Sequence, residues 1–388
     1  MKLNLLKFSL LIVALQLGNA CKKAEVKSTV SCFNAATKVH PKGAAMQALI
    51  DQYVSKGLPG ISVLIGDSSG EWFGAAGKAD IEHNINYTPC TVQKLGSITK
   101  MMMGVLTMKL VEEGKVNLDD PICKWIDAKV IKNIKNSDKI SIRNCLQHTT
   151  GVFDIITSSA FYLAVLNDPN KHWTSEELLK FVENQPANFE ANTGVLYSNT
   201  NTIFVAMCLE KITGKSHSEL LHEKIFTPLG MNDTYYHWHD ALPATTAQGY
   251  FDLYNNKTII NVSNLITGSG NGYTGVYSNV FDLRKFIRGV FIDKTILSPS
   301  TLDTMMQWAY NKDELYFGLG LFRVYNGTPK YTLIGHTGGD LGYASEVYYY
   351  PESNNYYIVC INYGTNGKTF LTPVYDEFVT KLKAIVTP

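Results

Sequence analysis

Ser97 and Lys100 stand three residues apart in Leu95-Gly96-Ser97-Ile98-Thr99-Lys100-Met101-Met102-Met103-Gly104, a spacing that could do chemistry. A serine hydroxyl attacks a carbonyl once a base takes its proton, and lysine serves as that base when burial or a neighbouring cation lowers its pKa. Residues three apart share one helix face. The run Met101 to Val111 keeps helical spacing. If Ser97 opens that helix, the hydroxyl and the amine meet at its positive end. The tetrapeptide alone is weak evidence. About one Ser-x-x-Lys is expected by chance in a chain of this length, and a serine in that place could equally cap the helix.

The elements around it must bring other groups to this pair. Ala44 to Lys56 is helical through Met46, Leu49, Ile50 and Tyr53, and Gly57-Leu58-Pro59-Gly60 ends it. Ile61–Ile65 and Glu71–Ala79 read as a hairpin around Asp67-Ser68-Ser69-Gly70. From about 115 to 290 helical segments dominate: Glu176–Glu183 capped by Ser175, Thr200–Ile212, Ser218–Phe226 and Phe281–Phe291. Residues 235–275 carry many Tyr, Trp, Asn and Gly without a period, and a loop so long usually forms a lid or binding wall. Within it, His237-Trp238-His239 would set two histidines on one face of an extended strand. A metal needs more ligands than that, and no Cys-x-x-Cys occurs, so no metal and no cofactor are expected.

After residue 315 the period becomes two, in Leu319–Tyr325, Tyr331–Gly335, Gly342–Tyr350 and Tyr356–Tyr363. Pro373 opens a last helix through Phe378, Leu382 and Ile385. The pattern predicts an α/β (α+β) fold. One antiparallel sheet unites the early hairpin with the late strands, the terminal helices lie against it, and the helical region 115–290 is an insertion.

The N-terminus reads as a targeting segment. Lys2 and Lys7 are basic, Phe8–Leu17 is mostly apolar, and Gly18-Asn19-Ala20 is a small-residue cleavage site. Residues 1–20 are therefore expected to be a signal peptide, and 21–43, rich in Lys, Ser, Thr and Asn, a tether. Cys21 directly follows the cleavage site, which resembles a lipoprotein signal with Cys21 as the lipidated residue; plain secretion after Ala20 is the alternative. Either way the expected place is the periplasm or cell envelope, with membrane attachment through Cys21 in the first case. A net charge of +1 gives no reason to expect nucleic acid as a partner. Cys208 and Cys360 sit in apolar segments and read as buried small hydrophobes, while others of the seven cysteines could pair after export.

Two further motifs follow in order: Tyr197-Ser198-Asn199 at a helix start, and His336-Thr337-Gly338-Gly339 after a strand. The ordered set resembles the serine beta-lactamase and penicillin-binding peptidase superfamily, in the branch of class C beta-lactamases, D-alanyl-D-alanine carboxypeptidases and related esterases. His148-Thr149-Thr150-Gly151, Thr227–Thr234, Ala247–Tyr250 and Gly318–Leu321 resemble it too, so the likeness spans about 45–385. It implies a single hydrolase domain over 44–388, monomeric, acting on a small molecule or peptide.

The resemblance also implies roles. Ser97 is the nucleophile, Lys100 its base, and Tyr197 passes the proton to the leaving group. Asn199 binds the acyl side-chain carbonyl, although it could instead cap the following helix. The N–H groups of Ser97 and Gly339 form an oxyanion hole, with Gly338 and Gly339 allowing close backbone approach. His336 and Thr337 meet the substrate carboxylate. The expected activity is that of a serine acyl hydrolase on D-Ala-D-Ala peptides or related amides and esters. A class C-like beta-lactamase and an idle penicillin-binding scaffold are the alternatives. Two departures stand out. Ala191-Asn192 replace the Pro-Gly usual before the motif tyrosine, so the loop shape could differ. His336 replaces the lysine of most class C enzymes, and a largely neutral histidine grips a lactam carboxylate less firmly.

Overall fold

The computed structural model describes residues 40–365 and 367–388. The signal peptide, Cys21 and all but the end of the tether lie outside the described residues. That end is not a tether. His40 hydrogen-bonds Asp67 at 3.0 Å and helix α1 begins at Gly43, so residues 40–43 belong to the folded body.

The run Gly60–Asp67 is apolar at nearly every position, and as strand β1 it is buried on both faces. Side chains alternate across a strand. Here the alternation sends Leu64 into one core and Ile61, Val63 and Ile65 into another. Strands β2 (Gly70–Asp80) and β3 (Ile85–Asn86) continue from it. The late strands are β4 (Ala309–Tyr310), β5 (Tyr316–Phe317), β6 (Phe322–Asn326), β7 (Tyr331–Asp340), β8 (Tyr343–Tyr350) and β9 (Asn355–Ile361). All join one nine-stranded antiparallel sheet in the order β3-β2-β1-β9-β8-β7-β6-β5-β4. The early hairpin meets the late strands where β1 pairs with β9, in the register Val63↔Val359.

Helix α1 (Gly43–Ser55) and the C-terminal helix α5 (Thr372–Val386) cover one face, joined where Tyr53 meets Phe378 with ring centroids 5.4 Å apart. The other face carries α2 (Ile98–Glu112), α3 (Asn199–Thr213) and α4 (Val280–Ile287). Helix α2 is buried on nearly every side, with Met101, Met102, Met103, Val105 and Leu106 fully buried, as a helix enclosed by others must be. Region 115–290 is mostly short helical segments with two small sheets. Thr174, not Ser175, caps the helix at Ser175–Leu179, because its hydroxyl and Glu177 make a reciprocal capping box. Cys90 is disulfide-bonded, whereas buried Cys208 and Cys360 are free.

The strand expected to stop at Gly335 runs on to Asp340, so the His336 triplet lies inside β7. Glycine is a poor strand former, which hid this. The reason is packing. A Cβ on Gly338 would lie 1.9 Å from the Leu95 carbonyl oxygen, a backbone atom that cannot swing aside. Gly338→Ala is therefore expected to lower stability by about 1–3 kcal/mol, as overpacking does, and to cut activity by parting β7 from the segment before Ser97. Wild-type melting temperature and turnover in that variant would contradict this account.

Candidate active site

Ser97 occupies the N-cap of α2 but its side chain caps nothing. Lys100 Nζ instead donates to Ser97 Oγ at 2.9 Å. The same Nζ donates to Asn199 Oδ1 and to the Tyr273 carbonyl, both at 2.7 Å. Lys100 is 1% exposed. Its burial pushes the pKa down to about 7, while the carboxylates of Asp154 and Asp340 pull the other way. The donor count matters. An ammonium has three N–H groups, and three oxygens receive them. Two of these, the Asn199 amide oxygen and the Tyr273 carbonyl, can only accept. When Lys100 loses a proton they keep its two remaining N–H groups, and the lone pair falls toward the Ser97 hydroxyl.

Tyr197 places its ring 5.0 Å from Lys100 Nζ. Burial drives its pKa far up, so it is a neutral phenol, a proton donor and not a phenolate. His148-Thr149-Thr150-Gly151 holds this tyrosine. The His148 ring lies 4.5 Å from that of Tyr197, and its Nδ1 accepts the Ser198 N–H at 3.1 Å. Thr150 donates to Asn201 at 2.7 Å on the first turn of α3. Asn192 takes the left-handed backbone (φ 67°) and bonds the Thr149 carbonyl. Asparagine tolerates that conformation, so the loop makes a left-handed turn there without the usual Pro-Gly.

Asn199 is no N-cap. It is the first residue of α3, its own N–H donates to Asp154 Oδ1 at 2.9 Å, and its amide bridges Lys100 to Asp154. The protein thus occupies the amide expected to bind the acyl side-chain carbonyl. Asp154 takes the capping role, an anion at a helix N-terminus.

His336 and Thr337 stand on β7 facing different ways. His336 is 1% exposed, stacks on Phe322 with centroids 3.9 Å apart, and sets Nδ1 against the Thr337 carbonyl. Gly338 and Gly339 bring β7 against the Leu95–Ser97 turn, where a Cβ on Gly96 would come within 2.8 Å of Gly339 N. The two N–H groups assigned to the oxyanion hole thus sit on touching segments. Asp340 follows, 4% exposed, and pairs with Lys94 at 2.7 Å. It also accepts from Thr267 at 2.6 Å and Thr274 at 3.2 Å.

Ser97, Tyr197, Asn199, Tyr273, Gly339 and Asp340 line one cavity of about 70 Å³, with Tyr162 and Ile156 across from them. A wider groove of about 660 Å³, between Trp125, Asp127, Glu176 and Lys211, contains none of these groups. The 235–275 loop does form a wall, through Thr267, Tyr273 and Thr274. His237 and His239 do not share a strand face. Trp238 adopts φ 69°, which turns the chain, so His237 stacks on Trp238 and His239 packs on Tyr236. Among the described residues no cluster of His, Cys, Asp or Glu is fit to hold a metal.

The beta-lactamase family model matches residues 46–374. The chain belongs to the beta-lactamase family. It is a serine hydrolase of that fold. Teichoic acid D-alanine hydrolase of Staphylococcus aureus is 24% identical over 344 residues, covering 86% of this chain and 78% of that protein. A D-stereospecific amidohydrolase from Streptomyces sp. superposes with a TM-score of 0.78 at 25% identity, covering 90% of this chain and 100% of that one. The D-amino acid amidase of Ochrobactrum anthropi SV3, in complex with D-phenylalanine, gives 0.77 at 25%, over 88% and 98%. In this member of the family the four motif residues Ser97, Lys100, Tyr197 and Asn199 meet. Sequence reasoning missed Lys94, Asp154, Asp340 and the Tyr273 carbonyl. Asp154 and Asp340 had a signal, since each closely follows a motif glycine. A backbone carbonyl has none.

Proposed function

We propose that this protein cleaves D-aminoacyl amides and esters, D-alanyl peptides included, through an acyl-enzyme on Ser97. One observation carries the reading: buried Lys100 gives two N–H groups to obligate acceptors and turns its third position on Ser97 Oγ. Lys100 then takes the serine proton as Oγ attacks. The Ser97 and Gly339 N–H groups receive the developing oxyanion. Tyr197, kept neutral, passes its proton to the departing amine or alkoxide and receives in its place the serine proton held by Lys100, which returns Lys100 to the free amine, and water then completes hydrolysis of the acyl-serine. The D-configured acyl group is supported by the names of the relatives. Export by residues 1–20 and a lipid on Cys21 complete the proposal, and they would put the site in the cell envelope.

The test compares D- and L-alanine p-nitroanilide with D-alanine methyl ester, and traps the adduct by mass spectrometry. The D-substrates should turn over and leave an acyl mass on the Ser97 peptide, absent from Ser97→Ala. Turnover that survives in Ser97→Ala, or a preference for the L-substrate, would refute the reading.

A further inference from the structure

Lys100 is aimed by two obligate acceptors, and they differ in how they are held. Asn199 is part of a helix, the first residue of α3. The Tyr273 carbonyl lies in a loop with little to hold itself. Gly268, Gly270, Gly272 and Gly275 all take positive φ there, between 73° and 129°, and a glycine brings no side chain to pack. Groups from outside the loop must set where this carbonyl points. Asp340 grips Thr267 and Thr274, and Asn271 donates to the Trp173 carbonyl at 2.7 Å. A third grip falls on the residue directly before Tyr273. The Gly272 N–H donates to the Tyr236 hydroxyl oxygen at 2.7 Å.

Tyr236 is fully buried, and burial drives its pKa far up, so it keeps its proton. Its oxygen stands 2.9 Å from His217 Nε2, and the Gly270 carbonyl stands 3.1 Å from the same nitrogen. Across the ring, Nδ1 lies 2.6 Å from Glu210 Oε1. Burial opposes ionisation of Glu210, but the hydrogen bonds and charge of His217 outweigh it and hold the carboxyl below its usual range. A carboxylate only accepts, so Nδ1 bears a hydrogen. Nε2 serves the loop in either state. Bare, it accepts the Tyr236 hydroxyl; protonated, it donates to the Gly270 carbonyl. Glu210 sits near the end of α3, about 16 Å along the axis from Asn199. The loop also rests on this helix, since a Cβ on Gly272 would lie 2.7 Å from the Thr202 carbonyl oxygen.

We propose that Glu210, His217 and Tyr236 are positioning residues of the reaction: they tie the Tyr273 loop to α3 and so aim Lys100 at Ser97. Helix α3 then sets both acceptors of Lys100, one from its first residue and one through this relay. None of the three relay side chains lines the cavity of Ser97. The inference rests on the serine-hydrolase reading above and adds to it a part that acts only through Lys100.

Tyr236→Phe keeps the ring and removes the hydroxyl. Its kcat for D-alanine methyl ester should fall by roughly 10- to 10²-fold, the scale of a displacement of about an ångström, with KM nearly unchanged. The rising limb of kcat/KM that Lys100 sets should move to lower pH by about one unit, because the ammonium loses an acceptor. Asp154, Asp340, His148 and His336, which also face Lys100, stay in place. A change that only loosened the fold would lower the melting temperature and leave the limb where it was. Glu210→Gln acts at the outer end of the relay, on a side chain 39% exposed, and should move the same readouts less far. Wild-type kcat and limb in folded Tyr236→Phe, or in Glu210→Gln, would overturn the proposal. D-alanine methyl ester left intact by the wild type would instead remove the hydrolase reading, and this one with it.

Discussion

Lys100→Met is expected to lower kcat/KM for a D-alanyl ester by roughly 10²–10⁴-fold, the usual loss when a positioned base is removed. Methionine keeps the buried stem and removes the amine, so the effect isolates proton transfer from packing. The pH profile makes the assignment specific. A base works only when deprotonated, and Lys100 sheds its proton near pH 7 because it is buried. Wild-type kcat/KM should therefore climb as pH rises toward about 7 and level off above it. The methionine variant should lack that limb. Asp154 and Asp340 favour the ammonium, and His148 and His336 face Lys100 as neutral rings. Asp154→Asn should accordingly move the limb to lower pH. A methionine variant that keeps the limb would show that another group takes the serine proton.

The parts of this site that were readable in advance are those fixed by short-range geometry. Three residues on a helix bring Ser97 and Lys100 together whatever the rest of the chain does, and the contact is there at 2.9 Å. The period of two in Tyr343–Tyr350 and Asn355–Ile361 exposed the late sheet for the same reason. What stayed hidden depends on distant partners. Asn199 looked free to bind substrate, but Asp154 and Lys100 claim its amide. The glycines of β7 read as a stop, but they mark where β7 touches Leu95 and Gly96. His336 was expected to meet a carboxylate. In the fold its ring stacks on Phe322 and sets Nδ1 against the Thr337 carbonyl, a detail of χ angles that no residue pattern reports.

Asp340→Ala is expected to cost about 3–5 kcal/mol of stability, because it strands the Lys94 ammonium, 2% exposed, without its counter-ion. A buried pair replaced on both sides by apolar groups of similar size is often neutral. The double variant Lys94→Met/Asp340→Leu should then regain most of that stability in urea melts. It should not regain turnover. Asp340 directly follows Gly339, and Lys94 lies three residues before Ser97, so the ion pair ties together the two segments that supply the oxyanion-hole N–H groups. Through Thr267 and Thr274 the same carboxylate fixes the loop whose Tyr273 carbonyl orients Lys100. An apolar contact holds the segments together but sets neither angle nor register, and displacement of reacting groups by an ångström can cost about 10²-fold. The loss should fall on kcat more than on KM, since Tyr162 and Ile156, which also line the cavity, are untouched. Wild-type kcat in the refolded double variant would show that Lys94 and Asp340 serve the fold alone.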